Sequence, residues 1–407
     1  MGKNKPKGGA LGGFDQLRAP DAPTISVSAG NAEVSVTFTN PSDVGGGAIS
    51  SYTATATASG VSTGATSATS PVTITGLSNG TSYAVTGLAN NAFGASPYSA
   101  STSASPTLST RGLFLGGNDA SALVNVIDYI SIPSTGNAND FGDLSAISQF
   151  NGSLASSSRG VCAQGQNADS GSITDTMDYV TIGTTGNATD FGNLTVARSG
   201  IGAASNSTRG VFAVGESSDG NQDVLDYITI ASTGNATDFG NSTQFRRRPA
   251  SCASTTRAVY AGGQISLASG NTDIIDYITI ASTGNATDFG DLASALQLAA
   301  GLSNSTRGCF GGGNPDTDVI QYITIASTGN TTDFGDLLNA GSSHASCASS
   351  TRGIFAGGDV IIGGSTTYTN IIQYITIGST GNATDFGDLT VARARMSGCS
   401  NVHGGIS

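Results

Sequence analysis

The sequence contains no tryptophan, and only 11% of its 407 residues are charged, against about 25% in an ordinary globular domain. Small and polar residues, above all glycine (58 residues), fill the difference. This composition favours short strands and tight turns over helices. No lysine follows Lys7, and the formal net charge is −12. We therefore expect no nucleic-acid partner and no anionic-membrane partner for the body of the chain.

Cysteine and histidine are also scarce. The five cysteines are an odd number, which argues against a closed disulfide framework. A metal site would need ligands that two histidines, His344 and His403, hardly supply, so we predict no metal and no cofactor. Three cysteines share one position of a repeat with leucine or alanine, which predicts small buried apolar side chains: Cys252, Cys347, Cys399, Leu154, Ala204 and Leu302.

The start of the chain is basic and shows no export signal, and no apolar run approaches the roughly 18 residues of a membrane span. Residues 1–20 hold three lysines and Arg18 against Asp15, a net charge of +3, so the remainder carries −15. Two interpretations of this segment stay open. It is a disordered tail, or a flexible anchoring arm that orders against an acidic protein.

Residues 21–106 predict a domain of their own. Val34, Val36 and Phe38 alternate with polar residues, as in a half-buried strand. About seven short strands between Gly, Pro and Asn indicate a β-sandwich. Three stretches of this domain are distinctive: the opening Ala-Pro, Gly-Leu-Ser-Asn-Gly-Thr-Ser-Tyr ending at Tyr83, and Asn-x-x-Gly-x-Ser starting at Asn91.

These three stretches resemble a fibronectin type III domain. The resemblance implies that Tyr83 is the tyrosine of the domain's corner, and that the domain is a spacer or binding module without catalytic residues. Phe38 stands where the family usually has tryptophan.

A 14-residue stretch, Tyr-Ile-Thr-Ile-Ala-Ser-Thr-Gly-Asn-Ala-Thr-Asp-Phe-Gly at 277–290, recurs six times with small changes. Phenylalanine always follows tyrosine by 12 positions, and the next Thr-Arg-Gly-type arginine follows phenylalanine by 18. The repeat residues are Arg111, Arg159, Arg209, Arg257, Arg307 and Arg352, Tyr129, Tyr179, Tyr227, Tyr277, Tyr322 and Tyr374, and Phe141, Phe191, Phe239, Phe289, Phe334 and Phe386.

Repeats of about 50 residues are in the range of propeller blades. Each unit predicts four strands, of the types 209–215, 224–230, 189–194 and 197–205, with Ser-Thr-Gly-Asn as a hairpin. Only the interval between arginine and tyrosine varies, from 15 to 22 positions.

Residues 107–407 resemble a kelch-type β-propeller, on the strength of a Gly-Gly pair, Tyr277, Phe289 and an arginine that opens some blades (Arg198, Arg246 and Arg393). Phenylalanine replaces the usual tryptophan, and Gly-Gly is interrupted by Gln164 and Val214. The fold class we predict is all-β: an Ig-like (fibronectin type III) sandwich, then a six-bladed kelch-like propeller closed by a C-terminal strand from residues near 394–402.

No catalytic constellation is visible, and we predict a protein that is not an enzyme. The Asn-x-Thr sequons at Asn187 and Asn285 are interpreted as hairpin residues rather than glycosylation sites. Aspartates such as Asp190 and Asp288 are interpreted as turn caps or partners of the repeat arginines, with calcium binding as the alternative. The run 246–248 of three arginines is interpreted as a solvated loop with one blade-opening arginine.

Because length varies in one set of loops only, and these loops emerge at one end of the predicted blades, we predict that they form the binding surface. Neutral drift of exposed loops is the alternative. The longest loop, 359–370, adds apolar residues including Val360. The candidate binding residues are Asn118, Asp119, Gln166, Asp169, Glu216, Asp219, Gln264, Asn271, Asn314, Asp316, Asp359 and Tyr368.

Arrays with Asn-Ala-Thr-Asp-Phe-Gly are also similar to repeat proteins of bacteriophage particles. That resemblance implies a virion component, such as a tail fibre, appendage or capsid-surface protein, located on the extracellular particle. The expected partners are other virion proteins, reached through the arm and the sandwich, and a host-surface glycan or protein. We also expect a homo-oligomeric or larger assembly. A bacterial surface adhesin and a carbohydrate-active enzyme on a propeller scaffold are the alternatives.

Overall fold

The computed structural model is an all-β protein, as predicted, and its sheets are antiparallel. The structure describes residues 17–30, 32–107, 110–167, 172–266 and 270–406. Two compact units divide the chain, Met1–Ser109 and Thr110–Ser407. Most of the arm predicted at 1–20 lies outside the described residues. In the described part of the chain no helix could span a membrane.

The first unit contains two sheets around one apolar core. One sheet has the order β1-β2-β5, and the other has the order β4-β3-β6-β7 with β8 paired to β6. The strands are β1 (Thr24–Gly30), β2 (Glu33–Thr39), β3 (Ser51–Ala58), β4 (Val61–Ser67), β5 (Val72–Thr75), β6 (Tyr83–Asn91), β7 (Gly94–Ala95) and β8 (Thr102–Ala104).

Two residues that the sequence singled out, Phe38 and Tyr83, belong to this core. The backbone N–H of Ser78 donates to Tyr83 Oη at 2.9 Å. Phe38 is buried in the core, with its ring centroid 4.8 Å from that of Tyr52. Arg18, which we had assigned to the arm, forms ion pairs with Asp21 and Asp43 in this unit.

The second unit contains six similar antiparallel sheets. Its strands are β9 (Arg111–Leu115), β10 (Val126–Ser131), β11 (Asn139–Asp143), β12 (Gly152–Ala155), β13 (Arg159–Ala163), β14 (Thr176–Thr181), β15 (Thr189–Asn193), β16 (Gly202–Ser205), β17 (Arg209–Ser217), β18 (Gly220–Thr229), β19 (Thr237–Arg246), β20 (Ala250–Ala253), β21 (Arg257–Ala261), β22 (Gln264–Ser266), β23 (Gly270–Asn271), β24 (Ile274–Thr279), β25 (Thr287–Asp291), β26 (Ala300–Ser303), β27 (Arg307–Gly311), β28 (Thr317–Thr324), β29 (Thr332–Ser342), β30 (Ala345–Ala348), β31 (Arg352–Ala356), β32 (Asp359–Ile362), β33 (Ser365–Tyr368), β34 (Ile371–Thr376), β35 (Thr384–Asp388) and β36 (Ser397–Ser400).

Each of these repeat sheets, numbered one to six in chain order, has four strands in one order. They are β36-β9-β10-β11, β12-β13-β14-β15, β16-β17-β18-β19, β20-β21-β24-β25, β26-β27-β28-β29 and β30-β31-β34-β35. The fifth sheet is extended by the hairpin β32-β33. The fourth predicted strand type, 197–205, begins only at Gly202, because Gly200 has a left-handed backbone (φ 65°) that interrupts the extended conformation.

The first strand of every repeat sheet is short and contacts its counterparts in both neighbouring sheets. We call these six the inner strands: β12, β16, β20, β26, β30 and β36. The cycle closes because β36 contacts β12 and also pairs with β9 of the first sheet. The prediction that residues near 394–402 supply the strand missing from the first sheet is therefore confirmed.

The Ser-Thr-Gly-Asn hairpin of each sheet binds the outermost strand of the preceding sheet. Gly234 N–H donates to Phe191 O at 2.7 Å, and Ala236 N–H donates to Asn193 O at 2.8 Å. Asn235 Oδ1 accepts from Asn193 N–H at 3.1 Å. The same three bonds occur at all six junctions, through Asn137, Asn187, Asn235, Asn285, Asn330 and Asn382.

These three hydrogen bonds, which we call the latch, explain why the repeated stretch is nearly invariant. A Cβ at Gly192 would lie 2.5 Å from Gly234 O of the next sheet, so the glycine of Asp-Phe-Gly lets two backbones approach. The interpretation of Asn187 and Asn285 as hairpin residues is confirmed.

The repeat arginines form a second set of junctions. Arg209 lies 4.5 Å from the ring centroid of Tyr227 and donates to Ile280 O of the next sheet at 3.0 Å. All six arginines do the same, and Arg352 closes the circle on Ile132 O. Each repeat tyrosine and phenylalanine meet edge to face at 5.9–6.1 Å.

The expected pairing of repeat arginines with aspartates such as Asp190 and Asp288 is wrong. Both sets lie at the same end of the sheets, since Arg209 pairs with the end of β18 and Asp238 lies at the start of β19. Within the described residues these aspartates are exposed and the ion pairs do not include them. The arginines are already satisfied by carbonyl oxygens and tyrosine rings.

All five cysteines are free and buried, which was predicted for the three that share their position with leucine and alanine, Cys252, Cys347 and Cys399. Burial raises the pKa of Cys399 to about 12, so its thiol stays protonated. Cys252 faces Gly308 of the next sheet, where a Cβ would lie 2.5 Å from its Sγ. Alanine replaces this glycine only at Ala258, which packs with Ala204, the smallest residue at the cysteine position.

Gly308→Ala should therefore destabilise the second unit by about 1–3 kcal/mol, because the new methyl group overpacks the space filled by Cys252. The double variant Cys252→Ala with Gly308→Ala copies the Ala204 and Ala258 pair and should recover most of that loss. Denaturant titrations followed by circular dichroism measure both values. Equal destabilisation in the single and double variants would contradict this packing.

Candidate functional site

The variable loops lie at the end of the repeat sheets opposite the arginines, as predicted. The first residue of each loop exchanges backbone bonds with the segment that precedes an inner strand. Gln166, for example, pairs in this way with Gln149. The six loop residues thereby brought into one circle are Asn118, Gln166, Glu216, Gln264, Asn314 and Asp359.

The other predicted loop residues lie outside this circle. Asp119 Oδ1 accepts from two backbone N–H groups of its own loop, and these bonds lower its pKa. Asn271 Nδ2 donates to Asn314 O at 2.6 Å. Asp219 lies exposed in the turn between β17 and β18. The remaining positions are Asp316 and Tyr368, both half-buried, and Asp169, which lies outside the described residues.

Inside the circle, one residue from each sheet has a left-handed backbone. The six φ angles lie between 56° and 65°. Each backbone N–H donates to the carbonyl of its counterpart in the preceding sheet at 2.7–3.1 Å, and the chain of bonds closes on itself. We call these residues the mouth ring: Phe150, Gly200, Arg248, Leu298, Ser343 and Arg395.

A cavity of about 130 Å³ lies behind the mouth ring, between the inner strands. This volume has room for several water molecules. The second residue of each inner strand lines it and is small: Ser153, Ala203, Ser251, Gly301, Ser346 and Gly398.

The mouth ring contains arginines that our sequence interpretation missed. Arg248 lies 4.2 Å from the ring centroid of Phe150, and Arg395 lies 5.4 Å from it. The available signal was the spacing Arg-x-Arg at 246–248 and at 393–395, which places Arg248 and Arg395 at one repeat position. The interpretation of 246–248 as a solvated loop is wrong, because Arg246 is fully buried and Arg247 is 5% exposed.

The arginines that the kelch resemblance assigned to blade openings are fully buried, and each pairs with the aspartate that precedes a repeat tyrosine. The pairs are Arg198 with Asp226 at 3.0 Å, Arg393 with Asp128 at 3.1 Å, and Arg246 with Asp276. Burial lowers the pKa of each arginine, and the aspartate opposes that shift. A buried charge needs such a partner.

Two sheets that lack the arginine also lack the aspartate. Leu296 and Gly341 take the arginine position in the fifth and sixth sheets, and Gln321 and Gln373 take the aspartate position there. The amide oxygen of Gln321 accepts from Ala293 N–H at 2.9 Å, so the neutral side chain keeps the bond to this turn.

The second sheet solves the same problem differently. Asp178 remains although Ser148 takes the arginine position. Gln164 Nε2 donates to Asp178 Oδ2 at 2.6 Å, and Ser145 Oγ donates to Oδ1 at 2.9 Å. The interruption of Gly-Gly by Gln164 thus supplies a buried carboxylate with a donor.

The opposite end of the cavity is covered by residues 401–406. Gly404 N–H donates to Ser303 O at 3.0 Å. His403 Nδ1 accepts from Gly405 N–H at 3.1 Å, and Nε2 lies 3.0 Å from Ala155 O, so the proton is on Nε2 and the ring is neutral. Burial lowers the pKa of His403.

Arg246→Leu should destabilise the second unit by about 3–5 kcal/mol, because it leaves Asp276 buried without a counter-charge. The double variant Arg246→Leu with Asp276→Gln copies Leu296 and Gln321 and should be close to the parent. Denaturant titration of the three proteins measures this. If the double variant is as unstable as the single variant, the sheets do not compensate charge as inferred.

The free energy of unfolding should fall as the pH drops from about 7 to 5. Burial lowers the pKa of His344 and His403 in the folded state, so below about 6.5 the unfolded chain binds protons that the folded chain does not. The double variant His344→Asn with His403→Gln should lose most of this slope, and His344→Asn copies Asn151. An unchanged slope, measured by denaturant titration at each pH, would contradict the assignment.

In the described residues, the structure contains no group of three or more His, Cys, Asp and Glu side chains placed to hold a metal ion. Comparison of the chain with protein-family models and with curated proteins found no match. The role of the mouth ring and its loops is therefore inferred from their own residues.

Proposed function

We propose that the second unit is a six-bladed kelch-like β-propeller and that the first is a fibronectin type III-like sandwich. Six four-stranded sheets whose inner strands contact one another in a cycle support the first assignment. Two sheets around one core and the Tyr83 contact support the second.

On this fold we propose a non-enzymatic structural and adhesive protein that presents the loop end of the propeller to a partner. The observation that carries the proposal is the difference between the two ends of the central cavity. Residues 401–406 cover one end, and at the other a circle of polar loop residues surrounds an open mouth. Concave sites lined by a few convergent polar groups are the usual places for ligands.

The most specific form of this proposal is a bacteriophage virion component: a fibre, an appendage or a capsid-surface protein. The resemblance of the Asn-Ala-Thr-Asp-Phe-Gly arrays to phage repeat proteins and the low charge content of the sequence support it. The basic segment before residue 17 and the first unit would join other virion proteins. A bacterial surface adhesin is the alternative. Mass spectrometry of purified particles from the source tests this level of the proposal, and its failure there favours the adhesin.

The hairpin β32-β33 is the part of the loop end best suited to a protein or glycan contact. Ile361 and Ile362 are 39% and 48% exposed, whereas Val360, which we had included in the apolar loop surface, is 1% exposed and therefore structural. Tyr368 adds an aromatic side chain 5.9 Å from Arg395.

Removing Ile361, Ile362, Ser365 and Thr366 shortens the hairpin and keeps Gly363-Gly364 as its two-residue turn. The melting temperature should be unchanged, and binding of the labelled protein to host bacterial cells should weaken at least about tenfold, a loss of about 1.4 kcal/mol. Flow cytometry measures binding.

Val61→Ser is the matched control, since Val61 is 71% exposed in the first unit. Full binding by the shortened protein would place the contact surface elsewhere. Cleavage of cell-surface glycans by the parent would favour the alternative of a carbohydrate-active enzyme.

A further inference from the structure

Two mouth-ring arginines, Arg248 and Arg395, lie near the same aromatic ring. Both guanidinium groups lie near the ring of Phe150, at 4.2 Å for Arg248 and 5.4 Å for Arg395. Phe150 thus holds two like charges at the opening of the cavity, a placement that an aromatic face favours.

The donors of these arginines are poorly used. The Arg248 guanidinium donates to Gln297 Oε1 at 3.5 Å, and within the described residues it forms no ion pair. Arg395 has Asp359 Oδ2 at 3.9 Å and Gln149 Oε1 at 3.4 Å. Each arginine carries five N–H donors, so most of them are free for a ligand.

Arg247, one residue away, shows what a satisfied arginine looks like here. Its guanidinium pairs with Glu216 and donates twice to Gln264 Oε1. The acidic side chains of the loop circle are thus engaged by Arg247 and Arg395, and Arg248 has none. Burial, together with the charges of Arg247 and Arg395, lowers the pKa of Arg248 to about 10, so it remains charged at neutral pH.

We propose that the mouth ring binds an oxyanion, a phosphate or a carboxylate, between Arg248 and Arg395. The planar guanidinium fork matches both groups. An anion would remove the repulsion between the two charges, and the rest of the ligand would extend over Phe150 toward the loop circle. This assignment rests on the proposed adhesive function, and it adds that the ligand recognised by the loop end is acidic.

Isothermal titration calorimetry at constant ionic strength tests the site with inorganic phosphate, glucuronate and glucose as probes. Phosphate, glucuronate or both should bind saturably, and glucose should not. Binding of phosphate alone identifies a phosphorylated ligand, and binding of glucuronate alone identifies an acidic sugar. If neither anion binds saturably, the proposal is overturned.

Arg248→Ser and Arg395→Ser are suitable variants, because Ser343 occupies the same left-handed position in the sixth sheet. Each should weaken anion binding at least about tenfold, since charge-assisted hydrogen bonds are lost. Arg18→Ser, in the first unit, is the control and should bind like the parent. Phe150→Leu, which copies Leu298, should also weaken binding and serves if an arginine variant does not fold. Anion binding that survives in both arginine variants would overturn the assignment.

This experiment separates the site from the adhesive function. Saturable binding of phosphate or glucuronate by a protein that does not attach to cells would support the anion site and contradict the adhesive function. Attachment to cells that is unchanged in Arg248→Ser and Arg395→Ser, with no anion binding by the parent, would retain adhesion and remove the anion site.

Discussion

The second unit depends on hydrogen bonds that each sheet makes with the next. At every junction the Ser-Thr-Gly-Asn hairpin contributes three bonds to the preceding outer strand, and the repeat arginine adds one to the following sheet. These bonds need close contact between the backbones of neighbouring sheets. This need explains why the stretch from the repeat tyrosine to Asp-Phe-Gly is the least variable part of the repeat. The loops and inner segments, which take no part in the latch, were left free to diverge.

Where the repeats differ inside, the differences compensate one another. Arginine and aspartate are replaced together by an apolar or small residue and glutamine, and Gln164 appears where Asp178 has lost its arginine. Alanine follows the repeat arginine only where the facing residue is Ala204. The first pattern avoids the free-energy cost of an unpaired buried charge. The second avoids the cost of overfilling a closely packed interior.

The sequence predicted the all-β class, the closing strand near 394–402 and the loop end, because these follow from the constant spacing of tyrosine, phenylalanine and arginine. It also placed six loop residues, such as Gln166, that the structure brings into one circle. The interpretation of Arg246–Arg248 as a solvated loop failed. The burial of these arginines depends on which sheet their short linker crosses, and the spacing within one repeat does not reveal that. The partner of the repeat arginines was missed because a backbone carbonyl has no sequence signature.

The closed circle of backbone bonds at the mouth has a consequence for how such a surface changes. Each of the six positions is held by its own N–H and C=O, so its identity is decoupled from the scaffold that presents it. Phenylalanine, glycine, arginine, leucine and serine already share one backbone geometry there. The six side chains of the mouth ring can therefore be substituted one at a time, which would change the binding specificity of the mouth while the backbone fold is kept.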